Sequence, residues 1–250
     1  MTDLILTVRP APDGARDVAA LGRRGVAAMA APVMVAAHLE APALPDADAV
    51  GGVIFTSRHA VSAFLGHFGG TPPAAWAGLP VFVVGRASGR AAREAGFHDV
   101  TVGSGGGAGL VPRITSRRDP AAAPLLWPCA MHRGFDMQAA LAPHVGVITL
   151  PVYEMAPVAQ FDRQILAALA AGRVGAVILM SARSATLFRD MLARHVLDDR
   201  IANMTLIAGS AAIATAAGPG WREEFVARRS TRARLLAIAA LFYHRRMTGR

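Results

Sequence analysis

One twelve-residue pattern occurs twice in the 250-residue chain and constrains its fold more than any other feature. VIFTSRHAVSAF occupies residues 53–64 and VILMSARSATLF occupies residues 177–188, 124 positions later. In each copy an apolar, strand-like run leads through a serine into apolar residues at helical spacing. The same shift aligns VFVVGRAS at 81–88 with TLIAGSAA at 205–212, and Gly96 with Gly220. The repeat predicts two similar α/β lobes.

Strands and helices alternate along almost the whole chain. Strand-like runs separated by helical patterns of 10 to 15 residues are typical of parallel sheets with helices on both faces. We predict strands at 4–8, 26–35, 53–56, 81–85, 100–103, 125–128, 145–154, 175–180, 204–208 and 224–227. We predict helices at 13–24, 57–68, 86–95, 110–116, 131–142, 160–171, 182–192, 210–217 and 231–246.

The lobe around the second copy has too few strands of its own to fill a sheet. The strands at 4–8 and 26–35 are expected to complete that sheet. Residues 1–37 and 157–250 are therefore expected to form one discontinuous lobe. Residues 38–156 then form a second lobe inserted into it. The chain would cross between lobes near 36–42, where Pro42 begins a loop, and near 152–158. Two crossings predict a hinge, and a hinge between α/β lobes predicts a ligand cleft.

The charge of the chain indicates an anionic partner. Net charge is +9, and all 26 basic residues are arginine. The absence of lysine excludes a P-loop and a Schiff-base enzyme. Arginine is well suited to bidentate contacts with carboxylate or phosphate, so a polyanionic small molecule or a nucleic acid is indicated. A basic surface without a ligand is the alternative.

Four turns at predicted strand ends are candidate anion sites. At such a turn, the first N–H groups of a helix have no intrahelical partner and the helix dipole is positive. Arginines at three of the turns could also reach an anion. The alternative is that each serine only caps its helix. The turns are Thr56-Ser57-Arg58, Gly85-Arg86-Ala87-Ser88, Met180-Ser181-Ala182-Arg183 and Gly209-Ser210-Ala211.

Other motifs point away from a metal or a dinucleotide cofactor. The glycines at 103–109 do not match G-x-G-x-x-G, so a flexible loop that covers the cleft is the better interpretation. Cys129 and His132 form a lone pair without further ligands, and Cys129 is expected to be a small residue at a strand end. The arginine-rich segment at 228–246 is interpreted as a surface helix, with nucleic-acid binding as the alternative.

The remaining composition predicts a cytoplasmic chain. A single cysteine permits no internal disulfide, which fits a reducing compartment. Apolar runs stop short of the roughly 18 residues that a membrane span needs. The opening segment MTDLILTVRP is too briefly apolar for a secretory signal.

Tyr153 is one of only two tyrosines and lies at the end of a predicted strand where the chain crosses between lobes. A phenol there could donate a proton into the cleft. An amphipathic side chain packed at a hinge is the alternative.

Six segments, in their order and spacing, resemble the uroporphyrinogen-III synthase family over nearly the whole chain. They are LTVRP, VIFTSRHAVSAF, VFVVGRAS with AREAGF, LLWPCAMHRGF, ITLPVYEM and VILMSARSATLF. The resemblance implies two flavodoxin- or Rossmann-like parallel-sheet lobes, one inserted in the other, joined by a two-stranded linker. It also implies a reaction that uses no metal or organic cofactor. In that reaction hydroxymethylbilane, a linear tetrapyrrole with eight carboxylates, loses water and closes with its last ring inverted.

The resemblance also assigns residues. Tyr153 corresponds to the linker tyrosine that assists departure of the hydroxyl group. Ser88 stands where threonine is usual, Ala130 where glycine is common and Ala212 where a hydroxyl is frequent, and Arg9 lies one residue later than expected. The predicted substrate-binding set is Arg9, Thr56, Ser57, Arg58, Gly85, Arg86, Ser88, Cys129, Ser181, Ala182, Arg183, Gly209 and Ser210.

The expected state is a monomer that binds neither nucleic acid nor membrane. Whether it acts alone or receives its unstable substrate by transient contact with hydroxymethylbilane synthase is open. A non-catalytic two-lobed module that binds a polyanionic small molecule is the alternative function.

Overall fold

A computed structural model of the chain describes residues 4–40, 43–119 and 121–248. Two predictions fall partly outside these ranges. Residues 1–3 begin the segment MTDLILTVRP, and Pro42 begins the loop expected between the lobes. The chain divides into two compact units. Unit 1 consists of Met1–Val35 and Ala156–Arg250, and unit 2 of Ala36–Met155.

Strands and helices alternate in both units. The strands are β1 (Leu4–Thr7), β2 (Ala28–Ala30), β3 (Met34–His38), β4 (Val53–Phe55), β5 (Val81–Val83), β6 (Val100–Val102), β7 (Leu125–Ala130), β8 (Val147–Pro157), β9 (Val174–Leu179), β10 (Thr205–Ala208) and β11 (Glu223–Val226). The helices are α1 (Asp13–Gly22), α2 (Arg58–Gly66), α3 (Ala74–Ala77), α4 (Arg86–Glu94), α5 (Val111–Thr115), α6 (Met137–Leu141), α7 (Arg163–Ala170), α8 (Ala182–Arg194), α9 (Ala211–Ala217) and α10 (Arg232–Thr248). Short 3-10 helices cover Ala47–Ala49 and Asp198–Asn203.

Unit 1 is built on a five-stranded sheet in the order β11-β10-β9-β1-β2. Its paired strands are parallel, with Leu6 opposite Val177 and Leu206 opposite the same residue from the other side. Every residue of β9 is buried, as the apolar sequence VGAVIL requires of a central strand covered on both faces. The N-terminal strands therefore complete the sheet of the C-terminal part of the chain.

Unit 2 is built on a six-stranded sheet in the order β3-β8-β7-β4-β5-β6. β4 pairs in parallel with β5 and β7, and the pairs β5–β6 and β7–β8 are also parallel. The core beneath this sheet contains Phe55, Phe64 and Phe97, whose ring centroids lie 5.6 to 6.4 Å apart. Aromatic packing of this kind stabilises a core beyond the burial of area alone.

The strand orders of the two units are related by circular permutation. Along unit 2 the strands β8-β7-β4-β5-β6 occur in the same spatial order as β2-β1-β9-β10-β11 of unit 1. The direction of strand order reverses between β7 and β4 in unit 2, and between β1 and β9 in unit 1. In open parallel sheets, ligands bind beyond the carboxyl ends of strands at such a reversal. Each unit thus has one favoured ligand position. The predicted fold class of two similar, mostly parallel α/β lobes is confirmed.

The structure corrects two predicted elements. The predicted strand at 26–35 is two strands, because Pro32 lacks the N–H that a continuous ladder needs and β2 ends at Ala30. The predicted helix at 131–142 begins only at Met137. Asp136 caps it by accepting a hydrogen bond from the Ala139 N–H at 2.9 Å, and residues 131–136 form a turn.

No helix within the described ranges is long and apolar enough to cross a lipid bilayer.

Candidate active site

A pocket of about 300 Å³ lies at the strand-order reversal of unit 2. It opens beyond the carboxyl ends of β4 and β7, the position favoured for ligands in such a sheet. Three of the residues predicted for the site, Thr56, Ser57 and Tyr153, meet in its wall. The full lining is Thr56, Ser57, Val84, Gly106, Gly107, Trp127, Ala130, His132, Arg133, Gly134, Phe135 and Tyr153.

Ser57 and Tyr153 are joined by a hydrogen bond between their hydroxyl groups. Among the described residues, no other pair in this lining is joined in this way. Ser57 Oγ and Tyr153 Oη lie 2.7 Å apart. Ser57 adopts an extended backbone conformation at the N-cap of α2, where its Oγ accepts from the Ala60 N–H at 3.1 Å. Tyr153 comes from β8, two strands away in the sheet, and is 6% exposed. The cap therefore also positions the phenol.

Burial strengthens the preference of the Tyr153 phenol for its protonated form. Desolvation raises its pKa above the ordinary value of 10.0; the hydrogen bond with Ser57 acts in the opposite direction, and the nearby Cys129 adds a smaller upward contribution. A neutral phenol at the wall of a pocket is a proton donor rather than a base at pH 7. The arrangement suits assistance to a departing hydroxyl group.

Arg133 is the functional candidate that the sequence reasoning missed. Its guanidinium carbon lies 5.5 Å from the centroid of the Trp127 ring, and its Nη1 donates to the carbonyl oxygen of Ala130 at 3.0 Å. Trp127 is itself oriented by donating from Nε1 to Thr56 Oγ1 at 3.3 Å. Within the described part of the chain, Arg133 Nη2 and Nε make no hydrogen bond, so they can bind a carboxylate.

The sequence held a signal for Arg133 that the predicted helix at 131–142 concealed. In a helix starting at Met131, Arg133 would be one more surface residue. In the structure it belongs to the turn that follows β7, a strand at the order reversal. An arginine in the first turn after such a strand is a ligand candidate for the same reason as Arg58 and Arg183.

Cys129 lies inside the core behind the pocket. It is completely buried, its thiol donates to the carbonyl oxygen of Leu150 at 3.6 Å, and it accepts from Arg133 Nη1 at 3.5 Å. Burial raises the pKa of the thiol above its ordinary value of 9.0, while the charge and hydrogen bond of Arg133 lower it by less. The thiol is thus placed to hold Arg133 in position.

The glycine-rich segment forms part of the pocket wall. Gly106, with φ +69°, and Gly107 both contribute to the lining. A Cβ added to Gly107 would lie 2.2 Å from a ring carbon of Phe135, so only glycine allows this ring to close the pocket on that side. The absence of side chains in the segment therefore shapes the site.

The turn after β5 lies beside the pocket and corrects one predicted cap. Gly85, not Ser88, is the N-cap of α4, and no side chain caps this end. Ser88 is the third residue of the helix and is buried, because the extended backbone that a cap needs occurs at Gly85. The exposed Arg86 begins α4. The uncapped N–H groups of this turn can donate hydrogen bonds to an anion.

The predicted residues of unit 1 form a related but different set of turns. Ser181 caps α8 and its Oγ donates to Ser184 Oγ at 2.7 Å, and Ser210 caps α9 by accepting from the Ile213 N–H at 3.4 Å. Ala182 and Arg183 are exposed in the first turn of α8. Gly209 is tightly packed, because an added Cβ would meet Ser230 Oγ at 2.6 Å. Three of the four serines thus cap a helix, as the alternative interpretation of these turns expected.

Arg9 follows β1 at the strand-order reversal of unit 1 and is held by acids. Its Nη2 lies 2.6 Å from Asp13 Oδ2, and its Nη1 lies 3.3 Å from Asp17 Oδ1. Asp17 is fully buried and also accepts from Thr7 and Arg232. This network satisfies Arg9 within its own unit, whereas Arg133 at the equivalent position of unit 2 has guanidinium donors to spare.

The described residues contain no group of three or more His, Cys, Asp or Glu side chains that could hold a metal ion.

Comparison with known proteins agrees with this architecture. The uroporphyrinogen III synthase from Helicobacter pylori is 14% identical, with a TM-score of 0.63, over 97% of this chain and all of that one. A mutant uroporphyrinogen III synthase from Thermus thermophilus is 17% identical, with a TM-score of 0.52, over the full length of both chains. At these identities the likeness shows the fold. No curated protein sequence gives a significant match.

A family model described as uroporphyrinogen-III synthase HemD matches residues 15–237. This match spans the strand-order reversal of unit 2 and the pocket residues described above. The chain belongs to the uroporphyrinogen-III synthase family.

Proposed function

We propose that the chain converts hydroxymethylbilane into uroporphyrinogen III with inversion of ring D, and that the hydroxyl group leaves at the pocket of unit 2. As a member of its family, the chain is a cyclising lyase that acts on hydroxymethylbilane in tetrapyrrole biosynthesis. The observation that supports this pocket as the reaction site is the 2.7 Å contact between Ser57 Oγ and Tyr153 Oη.

The direction of that hydrogen bond decides what Tyr153 can do. Ser57 Oγ already accepts from the Ala60 N–H, and its own proton is free to be donated to Tyr153 Oη. The phenol proton can then be directed to a substrate hydroxyl. Donation from Ser57 also stabilises the phenolate that remains, which strengthens Tyr153 as an acid.

The proposed chemistry is electrophilic and balances around this proton. Tyr153 protonates the hydroxyl group and the C–O bond breaks. The hydroxyl group departs as water, and the remaining substrate is an azafulvene cation. The cation attacks a substituted pyrrole carbon to give a spiro intermediate, which fragments and recloses with ring D inverted. Loss of a proton from the final ring carbon restores the phenol. Holding the chain curled suppresses direct closure to the uninverted isomer.

Carboxylates of the substrate are proposed to bind at the strand-end turns. In unit 2 the donors are Arg133, Arg86 and the first N–H groups of α2 and α4. In unit 1 they are the turns at Ser181 and Ser210, with Arg183 beside the first. Ala212 lacks the hydroxyl that is frequent in the family, so the backbone donors at Ser210 are proposed to serve instead.

A non-catalytic module that binds a polyanion is the alternative, and one assay separates the two. Hydroxymethylbilane is generated enzymatically in the presence of the protein, and the cyclised products are separated into type I and type III isomers. The proposal predicts type III in excess. Type I alone, at the spontaneous rate, together with retained binding of the product would favour the binding module.

Three further expectations from the sequence stay predictions. They are the monomeric state, a cytoplasmic location and transient contact with hydroxymethylbilane synthase.

A further inference from the structure

A second pocket, of about 340 Å³, lies within unit 1 and is not used by the reaction. It is a groove between the edge strand β11 and the C-terminal half of α10. The volume is within the range of small-molecule sites. Its lining is Arg222, Glu223, Phe225, Ile238, Leu241, Phe242, Arg245 and Arg246.

The α10 side of the groove changes from apolar to basic along the helix. Its five lining residues recur at positions i, i+3, i+4, i+7 and i+8, which form one stripe of a helix. Ile238, Leu241 and Phe242 come first, and Arg245 and Arg246 follow one turn later. Leu241 is 62% exposed, so the stripe leaves a large apolar side chain open to solvent at the groove.

The basic end is organised around one aromatic ring. The guanidinium carbons of Arg222 and Arg246 lie 5.9 Å and 5.5 Å from the centroid of the Phe242 ring. Arg222 is held further by donating from Nη2 to Thr205 Oγ1 at 3.1 Å. Stacking on a ring orients a guanidinium group while leaving its edge donors for an anion.

The positive charge at this end is not balanced by ion pairs of Arg222 or Arg245. Neither forms a salt bridge with any residue in the described ranges, and Glu223 is the single acid among the three arginines of the lining. Favourable interaction with the helix dipole accounts for arginines at the end of α10. It does not account for the exposed Leu241 beside them.

We propose that this groove binds an amphiphilic anion, a molecule with a flexible apolar chain and one carboxylate or phosphate group. The apolar chain would pack on Phe225, Ile238 and Leu241, and the anionic group would bind Arg222 and Arg245. A tetrapyrrole with carboxylates around its whole periphery lacks a long apolar segment, so this ligand differs in class from the substrate.

Isothermal titration of the full chain with dodecanoate, below its micelle concentration, tests the proposal. We expect one dodecanoate per chain. Dodecyltrimethylammonium has the same apolar chain and the opposite charge, and we expect it to bind at least about tenfold more weakly. Absence of dodecanoate binding, or equal binding of the cation, would overturn the proposal.

Three variants locate the site. Arg245→Gln should weaken dodecanoate binding about tenfold by removing a charged donor. Glu223→Gln should tighten binding severalfold, because it removes a like charge from beside the anionic group, and a gain of this kind does not arise from misfolding. Arg234→Gln, an exposed arginine in the first turn of the same helix, is the matched control and should bind like the wild type. Equal effects of Arg245→Gln and Arg234→Gln would place the anion elsewhere.

Anionic lipids offer the same chemistry on a surface. Sedimentation with phosphatidylglycerol vesicles distinguishes this source from a free amphiphile. We expect the chain to remain in the supernatant under conditions where dodecanoate binds. Sedimentation with vesicles in the absence of dodecanoate binding would contradict a site for a single free molecule.

Discussion

Three pairs of residues related by the 124-position shift have the same physical role in both units. Ser57 and Ser181 cap α2 and α8, and Phe64 and Phe188 are completely buried. The third pair, Gly96 and Gly220, has φ values of +99° and +101°, where glycine is favoured. The partners of the two serines differ, because Ser57 contacts Tyr153 and Ser181 contacts Ser184. The contact between a serine cap and the proposed proton donor is therefore a property of one copy.

Replacement of Ser57 tests whether it positions and activates Tyr153. Ser57→Ala removes the cap of α2, at a cost of about 1 kcal/mol in unfolding free energy. It also removes a donor to the phenol, so the pKa of Tyr153 rises further and we expect type III formation to slow by about tenfold. Ser57→Thr should restore both properties.

The control for this prediction is Ser181→Ala, which removes an equivalent cap without contact to Tyr153. It should lose a similar unfolding free energy without changing the alkaline limb of the pH–rate profile. In Ser57→Ala the rise in the pKa of Tyr153 should shift the alkaline limb of the pH–rate profile to higher pH. If that limb is unchanged, Ser57 only caps its helix.

Burial of Cys129 predicts a slowly reacting thiol. Its pKa is raised above 9.0, so the thiolate that attacks alkylating reagents is scarce near pH 7. Iodoacetamide should modify the folded chain far more slowly than the chain in denaturant, as followed by mass spectrometry. Equal rates would contradict the buried position.

The same shifts predict how stability depends on pH. The folded-state pKa values of Cys129 and Tyr153 lie above their ordinary values, so the folded chain binds these protons more tightly than the unfolded chain. This contribution to the free energy of unfolding is fully present at pH values below the ordinary pKa of the thiol. It is lost as the pH rises through the raised pKa values of the two groups.

At the scale of elements, the apolar pattern was enough to locate the strands, except that it merged β2 and β3, which belong to different sheets, into one predicted strand at 26–35. β4 and β9 were predictable because completely buried parallel strands read as continuous apolar runs. The turn at 131–136 was not, since its apolar residues Met131 and Phe135 lie four positions apart, the spacing of one face of a helix. The single cap that was misplaced, at Ser88, depended on backbone angles at Gly85 that residue identity does not determine.

Arg133 owes its candidate role to this turn, and its replacement tests the role. Arg133→Gln should raise the KM for hydroxymethylbilane about tenfold through loss of a charged donor, with a smaller effect on kcat. Arg113→Gln, an exposed arginine of α5 in the same unit, is the matched control and should leave KM unchanged. A normal KM in Arg133→Gln would remove this residue from the substrate site.

At the scale of the whole molecule, charge and topology agree on a polyanionic substrate. Net charge is +9, and its positive part is carried entirely by arginine. Both units are parallel sheets whose strand-order reversals provide positions for ligands. The identity of the substrate comes from family membership, because neither composition nor spacing distinguishes a tetrapyrrole from another polyanion.

Long-range attraction predicts a salt dependence. The kcat/KM for hydroxymethylbilane should fall as ionic strength rises, because salt screens the attraction between a cationic chain and a polyanion. The kcat, measured at saturating substrate, should change much less. Steady-state assays across a salt series provide the measurement, and a flat kcat/KM would indicate that net charge has no part in substrate capture.

The most direct test of the account is the single-turnover rate of type III formation by Tyr153→Phe. The variant keeps the ring that packs in unit 2 and loses only the phenol hydroxyl. We expect this variant to bind the product normally and to form type III about a hundredfold more slowly than the wild type. Formation of type III at the wild-type rate would contradict the assignment of Tyr153 as the proton donor.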